Sequence, residues 1–155
     1  MEGVIDLDEL LEHWEGHRRL TRRTIAAFPD DELFSHRVEP LRSFGEMIGE
    51  ALEVTPLLEG IANDHWEWRL EYEQVKSKAE LLEAWDESLR SIREYWPSIT
   101  GEKLERVEPD HFFGGPAQSN LARLLYQIDN EIHHRAQGYV YLRQLGIEPP
   151  PFYER

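Results

Sequence analysis

Apolar positions recur along most of the chain at helical spacing, and strict alternation of strand length is absent. In the first segment Leu7, Leu10, Leu11, Trp14, Leu20, Ile25 and Phe28 approximate one face of a helix, with Asp6 or Asp8 supplying negative charge at its N-terminus. Pro29 and Pro40 break the pattern, so residues 28–43 read as a loop. A second helix is expected to start at Ser43, with Glu46 as its capping-box partner. Its buried stripe is Phe44, Met47, Ile48, Ala51, Val54 and Leu58. Residues 60–72 are irregular and aromatic, a connection whose Trp66 and Trp68 cover one end of the core. The third helix spans 77–96, capped by Ser77 with Glu80, striped by Leu81, Leu82, Trp85, Leu89, Ile92 and Trp96, and ended by Pro97. A loop touching strand conformation briefly covers 97–115. The fourth helix is expected over 116–145, with Pro116 in its first turn, Gly146 as its stop and a proline-stiffened tail beyond. Four long amphipathic segments without internal repeats predict an all-α antiparallel four-helix bundle, one domain over 1–155.

Read in angle, the fourth helix has two faces of interest. Leu121, Leu124, Leu125, Ile128, Ile132, Tyr139 and Leu142 form the expected core stripe. A second strip runs along Gln127, Asn130, His134, Gln137 and Tyr141. It carries no formal charge in a chain of which 31% is charged. It is either an ordinary polar flank or the lining of a cleft between helices, where side chains must be neutral or paired. Ala122, Tyr126, Ala136 and Val140 make a further semi-apolar strip, serving either the core or a partner. Asn130 and His134 project from adjacent turns, the spacing at which a helix offers two ligands to one ion. An Asn oxygen is a weaker ligand than imidazole. His133 points about 100° away. Glu131 and Arg135 read as a surface ion pair, and the partial likeness to H-E-x-x-H fails because the first His is absent.

Charge and composition narrow the function classes. A formal net charge of −14 repels nucleic-acid backbones and anionic membranes, so neither is an expected partner. Without Cys there is no disulfide and no protein thiol to act as ligand or nucleophile. Neither a basic leader nor an apolar run of spanning length is apparent, and a soluble, cytoplasmic protein is expected. Ser88, Ser91 and Ser119 have no evident base beside them, and Gly114–Gly115 is a turn signal without a phosphate loop. His13 and His17 share helical spacing and are expected at the surface.

The stretch "NEIHHRAQGYVYLRQLGIEPP" resembles the closing helix of the damage-inducible DinB/YfiT-like family, in which H-x-x-H-H-R-G-Q precedes a Y-L-R-x-x-G-x-x-P-P-like ending. "LRSFGEMIGEALEV" resembles the family's second helix. The likeness covers most of the chain in helix order and spacing. It implies a bundle with a three-His metal site, whose positions fall here on Glu50, Asn130 and His134; Arg135 and Gln137 match the family's Arg and Gln, while Ala136 replaces its Gly. Only one of the three ligand positions keeps its His. One divalent ion, Zn, Ni or Mn, is implied by the resemblance; with the altered set, the absence of any metal is the alternative, Glu50 and His134 then pairing directly. The implied activity is that of a metal-dependent hydrolase or transferase type, related to thiol-dependent transferases and needing a thiol cosubstrate. The alternative is a non-catalytic bundle that binds a small molecule or forms a homodimer.

Overall fold

The Asp6 carboxylate accepts the backbone N–H groups of Asp8 and Glu9, and from that cap helix α1 runs over Leu7–Ala27. The computed structural model describes residues 3–70 and 72–155. Ser43 and Glu46 close the expected capping box at the start of α2, Phe44–Gly49. All six residues of the expected stripe are buried, at 2% exposure or less. The helix itself is not continuous. It tightens into a 3-10 turn over Glu50–Leu52 and resumes as α3, Thr55–Asn63. Pro56 accounts for the interruption, because it has no N–H for the carbonyl one turn back and its ring crowds that carbonyl.

Helix α4, Lys78–Tyr95, starts on the expected Ser77–Glu80 box and gives way to a 3-10 turn at Trp96–Ser98, where Pro97 lies. The segment read as a loop holds more order than its composition implies. Thr100 caps the short α5, Gly101–Glu105, and β1, Val107–Glu108, pairs antiparallel with β2, Gln118–Ser119. That pairing keeps residues 118–119 extended, so the last helix, α6, begins on the Ser119 cap and spans Asn120–Gln144 rather than starting at Pro116. Gly146, at φ 75°, ends it in the left-handed turn expected of that glycine. No helix among the described residues is long and apolar enough to cross a membrane.

Helix α6 packs on α1 and α2, while α4 packs on α1 and α3. The core falls into two apolar clusters. One gathers Leu10, Trp14, Leu58, Ile92, Leu124 and Ile128; the other gathers Ile25, Phe28, Phe44, Leu81, Trp85 and Leu142. Between them along the helices lie Arg18 and Thr21 of α1, Ser88 of α4 and Glu131, His134 and Arg135 of α6, all buried. A polar layer therefore crosses the middle of the bundle.

That layer corrects the angular reading of α6. Leu125 is 37% exposed, and Leu121, Ile132 and Tyr139 are only partly buried, whereas Glu131, His134, Arg135, Gly138 and Tyr141 face inward. The apolar residues alone turn the inferred face away from charges that the core in fact accommodates. Glu131 and Arg135 are accordingly no surface pair, and His17 is buried at 3% exposure rather than at the surface. The Ala122, Tyr126, Ala136 and Val140 strip is exposed and does not serve the core.

Candidate functional site

The interrupted turn after α2 sets Glu50 against the middle of α6. There His134 Nε2 lies 2.9 Å from Glu50 Oε2, and Asn130 Nδ2 lies 3.4 Å from the same oxygen. The three positions carried over from the resemblance thus come together. Arg42, unremarked in the sequence, completes the group with its guanidinium 2.6 Å from Glu50 Oε1. Burial opposes ionisation of Glu50, but the hydrogen bond and charge of Arg42, with His134 behind them, outweigh it and hold the carboxyl below its usual range. His134 Nδ1 meets the Gln137 side-chain oxygen at 2.8 Å.

Three residues of the expected cleft strip, His134, Gln137 and Tyr141, do not line the cleft, His134 being turned to Glu50. Gln137 stands behind His134 as its second partner. Tyr141 is buried in the core at 2% exposure. Its hydroxyl donates to the Arg42 carbonyl at 2.9 Å and accepts the Val38 N–H at 3.3 Å. These bonds fasten the segment that carries Arg42, which makes Tyr141 a support of the site. Gln127 and Asn130 do line the cleft, together with Glu50. His133 is exposed, its ring 5.0 Å from that of His134.

The cleft beside this group has a volume of about 780 Å³ and an aromatic wall. Trp66 lies flat on α3 where Gly60 offers no side chain; a Cβ there would fall 2.2 Å from the ring. His111 stacks on Trp66 at 4.1 Å between centroids, and Phe112 meets it edge-on at 5.8 Å. Phe113 approaches Trp68 edge-on at 4.7 Å. The loop carrying these rings is built on Asp110, whose Oδ1 accepts the N–H groups of Phe112 and Phe113 at 2.8 and 2.9 Å. Arg123 ties it to α6 by donating to the Glu108 carbonyl at 2.6 Å and lying 3.6 Å from Asp110. Trp66 packs against one end of the core as expected, whereas Trp68 packs on Phe112 and Phe113. Their partners in the Phe112–Phe113 loop were not legible in the sequence, because that contact joins residues distant in sequence.

As a donor set for a divalent ion, Glu50, Asn130 and His134 fit poorly. Both Glu50 oxygens already face donors, and the Arg42 guanidinium sits where it would repel a dication. Asn130 offers an amide oxygen, a weaker ligand than the imidazole that the resemblance implies at this position. Among the described residues no group of three His, Cys, Asp or Glu side chains converges on a point where an ion could be held.

Comparison with known proteins gives a consistent picture. A sequence model of the DinB family matches residues 3–155. The uncharacterised protein YjoA of Bacillus subtilis (strain 168) is 22% identical over 152 residues, 96% of each chain. Among solved structures, a DinB-like protein from Bacillus cereus ATCC 10987 superposes with a TM-score of 0.75 at 20% identity, covering 94% of this chain and 97% of that one. The YjoA structure superposes with a TM-score of 0.74 at 19% identity, over 95% of this chain and 99% of that one. At these identities the structural likeness concerns the fold.

Proposed function

This chain belongs to the DinB family, and from that premise we propose that it is a small-molecule-binding bundle in which side chains occupy the place of the ion implied by the resemblance. Glu50 is the residue that carries this reading. A carboxylate bracketed by a guanidinium at 2.6 Å and an imidazole at 2.9 Å already has its charge answered within the protein. The neighbouring cleft, large enough for an organic molecule and walled by aromatic rings, supplies the binding surface. Hydrogen bonding falls to Asn130 and Gln127, stacking to the rings.

Metal content decides the first half of the reading. The purified protein is expected to carry well under one equivalent of Zn, Ni or Mn, and none of these ions should raise its melting temperature. An Arg42→Met, Asn130→His double variant removes the competing cation and restores an imidazole, and it is expected to take up one ion. A stoichiometric ion in the parent protein would sink the proposal. The gathering of Glu50, Asn130 and His134 in one place would then favour the alternative, a metal-dependent transferase using an external thiol, to be checked by thiol consumption with electrophilic substrates.

A further inference from the structure

We propose that a second cavity, between α6 and the proline-stiffened tail, binds an organic anion: an oxoanion group carried on a compact apolar body. This site is separate from the aromatic cleft and does not rest on the reading above.

The cavity has a volume of about 640 Å³, and Arg135, Tyr139 and Arg143 line it from α6. Donors without acceptors are the first sign of its ligand. A guanidinium has five N–H groups. Arg135 Nη1 donates to the His17 carbonyl at 3.1 Å and to the Thr21 hydroxyl at 3.0 Å, and Nη2 faces the His17 ring at 2.9 Å. Its Nε–H and the second N–H of Nη2 have no partner among the described residues. The Tyr139 hydroxyl is buried and likewise has none. Buried donors left unpaired are costly, and an acceptor in the cavity recovers that cost.

Charge points the same way. Glu131 lies 3.8 Å from Arg135, but Arg18 holds it more closely at 2.6 Å, so one carboxylate stands against two buried guanidiniums. Two further arginines stand near Arg135 and spend donors on neutral groups: Arg23 on the Glu154 carbonyl, and Arg155 on His17 Nε2 at 3.0 Å. His17, kept neutral by burial and by its cationic neighbours, has one lone pair for the two guanidiniums that face its ring. Against Arg135 and Arg143 the cavity is lined by a single carboxylate, the exposed Glu148. The net charge of the chain is spread over distances at which salt screens it. The far wall supplies the third sign. Three prolines, 149–151, and the rings of Phe152 and Tyr153 line the tail side. That apolar wall has no use for a bare inorganic ion and suits the body of an organic one.

Benzoate, its neutral counterpart benzamide and the bare head group acetate separate charge from body. Binding is read from the backbone amide resonances of residues 135–139 and 152–155 in the full chain, at one ionic strength. Benzoate is expected to bind about tenfold or more tightly than either of the others. Tyr139→Phe keeps the ring and removes the hydroxyl, and should weaken benzoate by about tenfold. Its melting temperature should be no lower than the parent's, since the hydroxyl has no partner to lose. Arg143→Gln, at an exposed position, should weaken benzoate by about two- to threefold. Benzamide or acetate binding as tightly as benzoate overturns the inference, and so does unchanged benzoate affinity in Tyr139→Phe. Shifts confined to Gln127 and Asn130 would put benzoate in the aromatic cleft, overturning this site while leaving the small-molecule reading in place.

Discussion

Two polar clusters meet on α6 at the same level of the bundle, and they are closed in different ways. The inner one is sealed. Glu131 Oε1 takes an Arg18 N–H at 2.6 Å, and Oε2 takes the Thr21 hydroxyl at 2.9 Å with Arg135 3.8 Å away. Arg18 also donates to Ser88 and to the Ala51 carbonyl in the interrupted turn, and its guanidinium lies 3.9 Å over the Trp85 ring. The outer cluster, Arg42 with Glu50, is left open, its side chains 48% and 30% exposed at the mouth of a cleft. A charge removed from water must be answered by partners fixed in place, so the inner cluster orders three helices and the interrupted turn around it. A half-exposed charge can exchange its partner for water or a ligand at small cost. One belongs to the fold and the other to the site.

The largest expected effect tests that division at its inner end. Glu131→Ala leaves Arg18 buried at 1% exposure without its counter-charge, and should destabilise the protein by about 3–5 kcal/mol in urea denaturation. Replacing both partners, Arg18→Met with Glu131→Leu, should recover most of that loss, since the double variant strands no charge. A double variant as unstable as the single one would show that the layer is needed for more than charge balance.

Acid should separate the clusters in pH. His17 is buried between arginines, with Arg135 2.9 Å from Nδ1 and Arg155 3.0 Å from Nε2. Burial first, then Arg135, Arg155 and His13, lower its pKa from 6.5 to about 3. The unfolded chain therefore takes up this proton at a higher pH than the folded one. The stability linked to His17 is fully present above pH 6.5 and drains away as pH falls toward 3. Glu50, held below 4.5, adds its own loss only beneath that value. Urea midpoints at pH 7, 5.5 and 4.5 should fall for the parent and fall less for His17→Gln. Parallel slopes would assign the decline to other groups.

A smaller effect is expected at the cleft wall. Gly60→Ala places a methyl group 2.2 Å from Trp66, so the ring must leave α3 and its stack with His111. About 1–3 kcal/mol of stability should be lost, together with near-ultraviolet dichroism from the displaced indole. Retention of that signal would mean that the helix, not the ring, gives way.

The contrast between the clusters also explains what the sequence disclosed. Periodicity located the helices and their caps, because Ser43–Glu46 and Ser77–Glu80 act within one turn. Pro56 was present to be read, yet the apolar stripe continues across it and concealed the break. On α6 the apolar pattern misplaced the buried face, since Glu131 and Arg135 look like a solvent pair until Arg18 and Thr21 arrive from residues 113 and 110 positions away. Glu50, Asn130 and His134 could be grouped only through resemblance to a family. Arg42 could not be grouped at all, as its segment is aimed by a tyrosine 99 residues distant.

Glu50→Gln makes the smallest change and tests the open cluster most directly. The amide keeps the shape and an acceptor for Asn130 or His134, and it removes the charge that holds Arg42. Because both side chains are substantially exposed, stability should change by less than about 1 kcal/mol. The acid limb below pH 4.5 should become shallower, since the lowered carboxyl is gone. The edge of the cleft should respond more than the fold does, because Glu50 no longer holds the Arg42 guanidinium in place. A loss above about 2 kcal/mol would make the outer pair as structural as the inner one and erase the distinction between them.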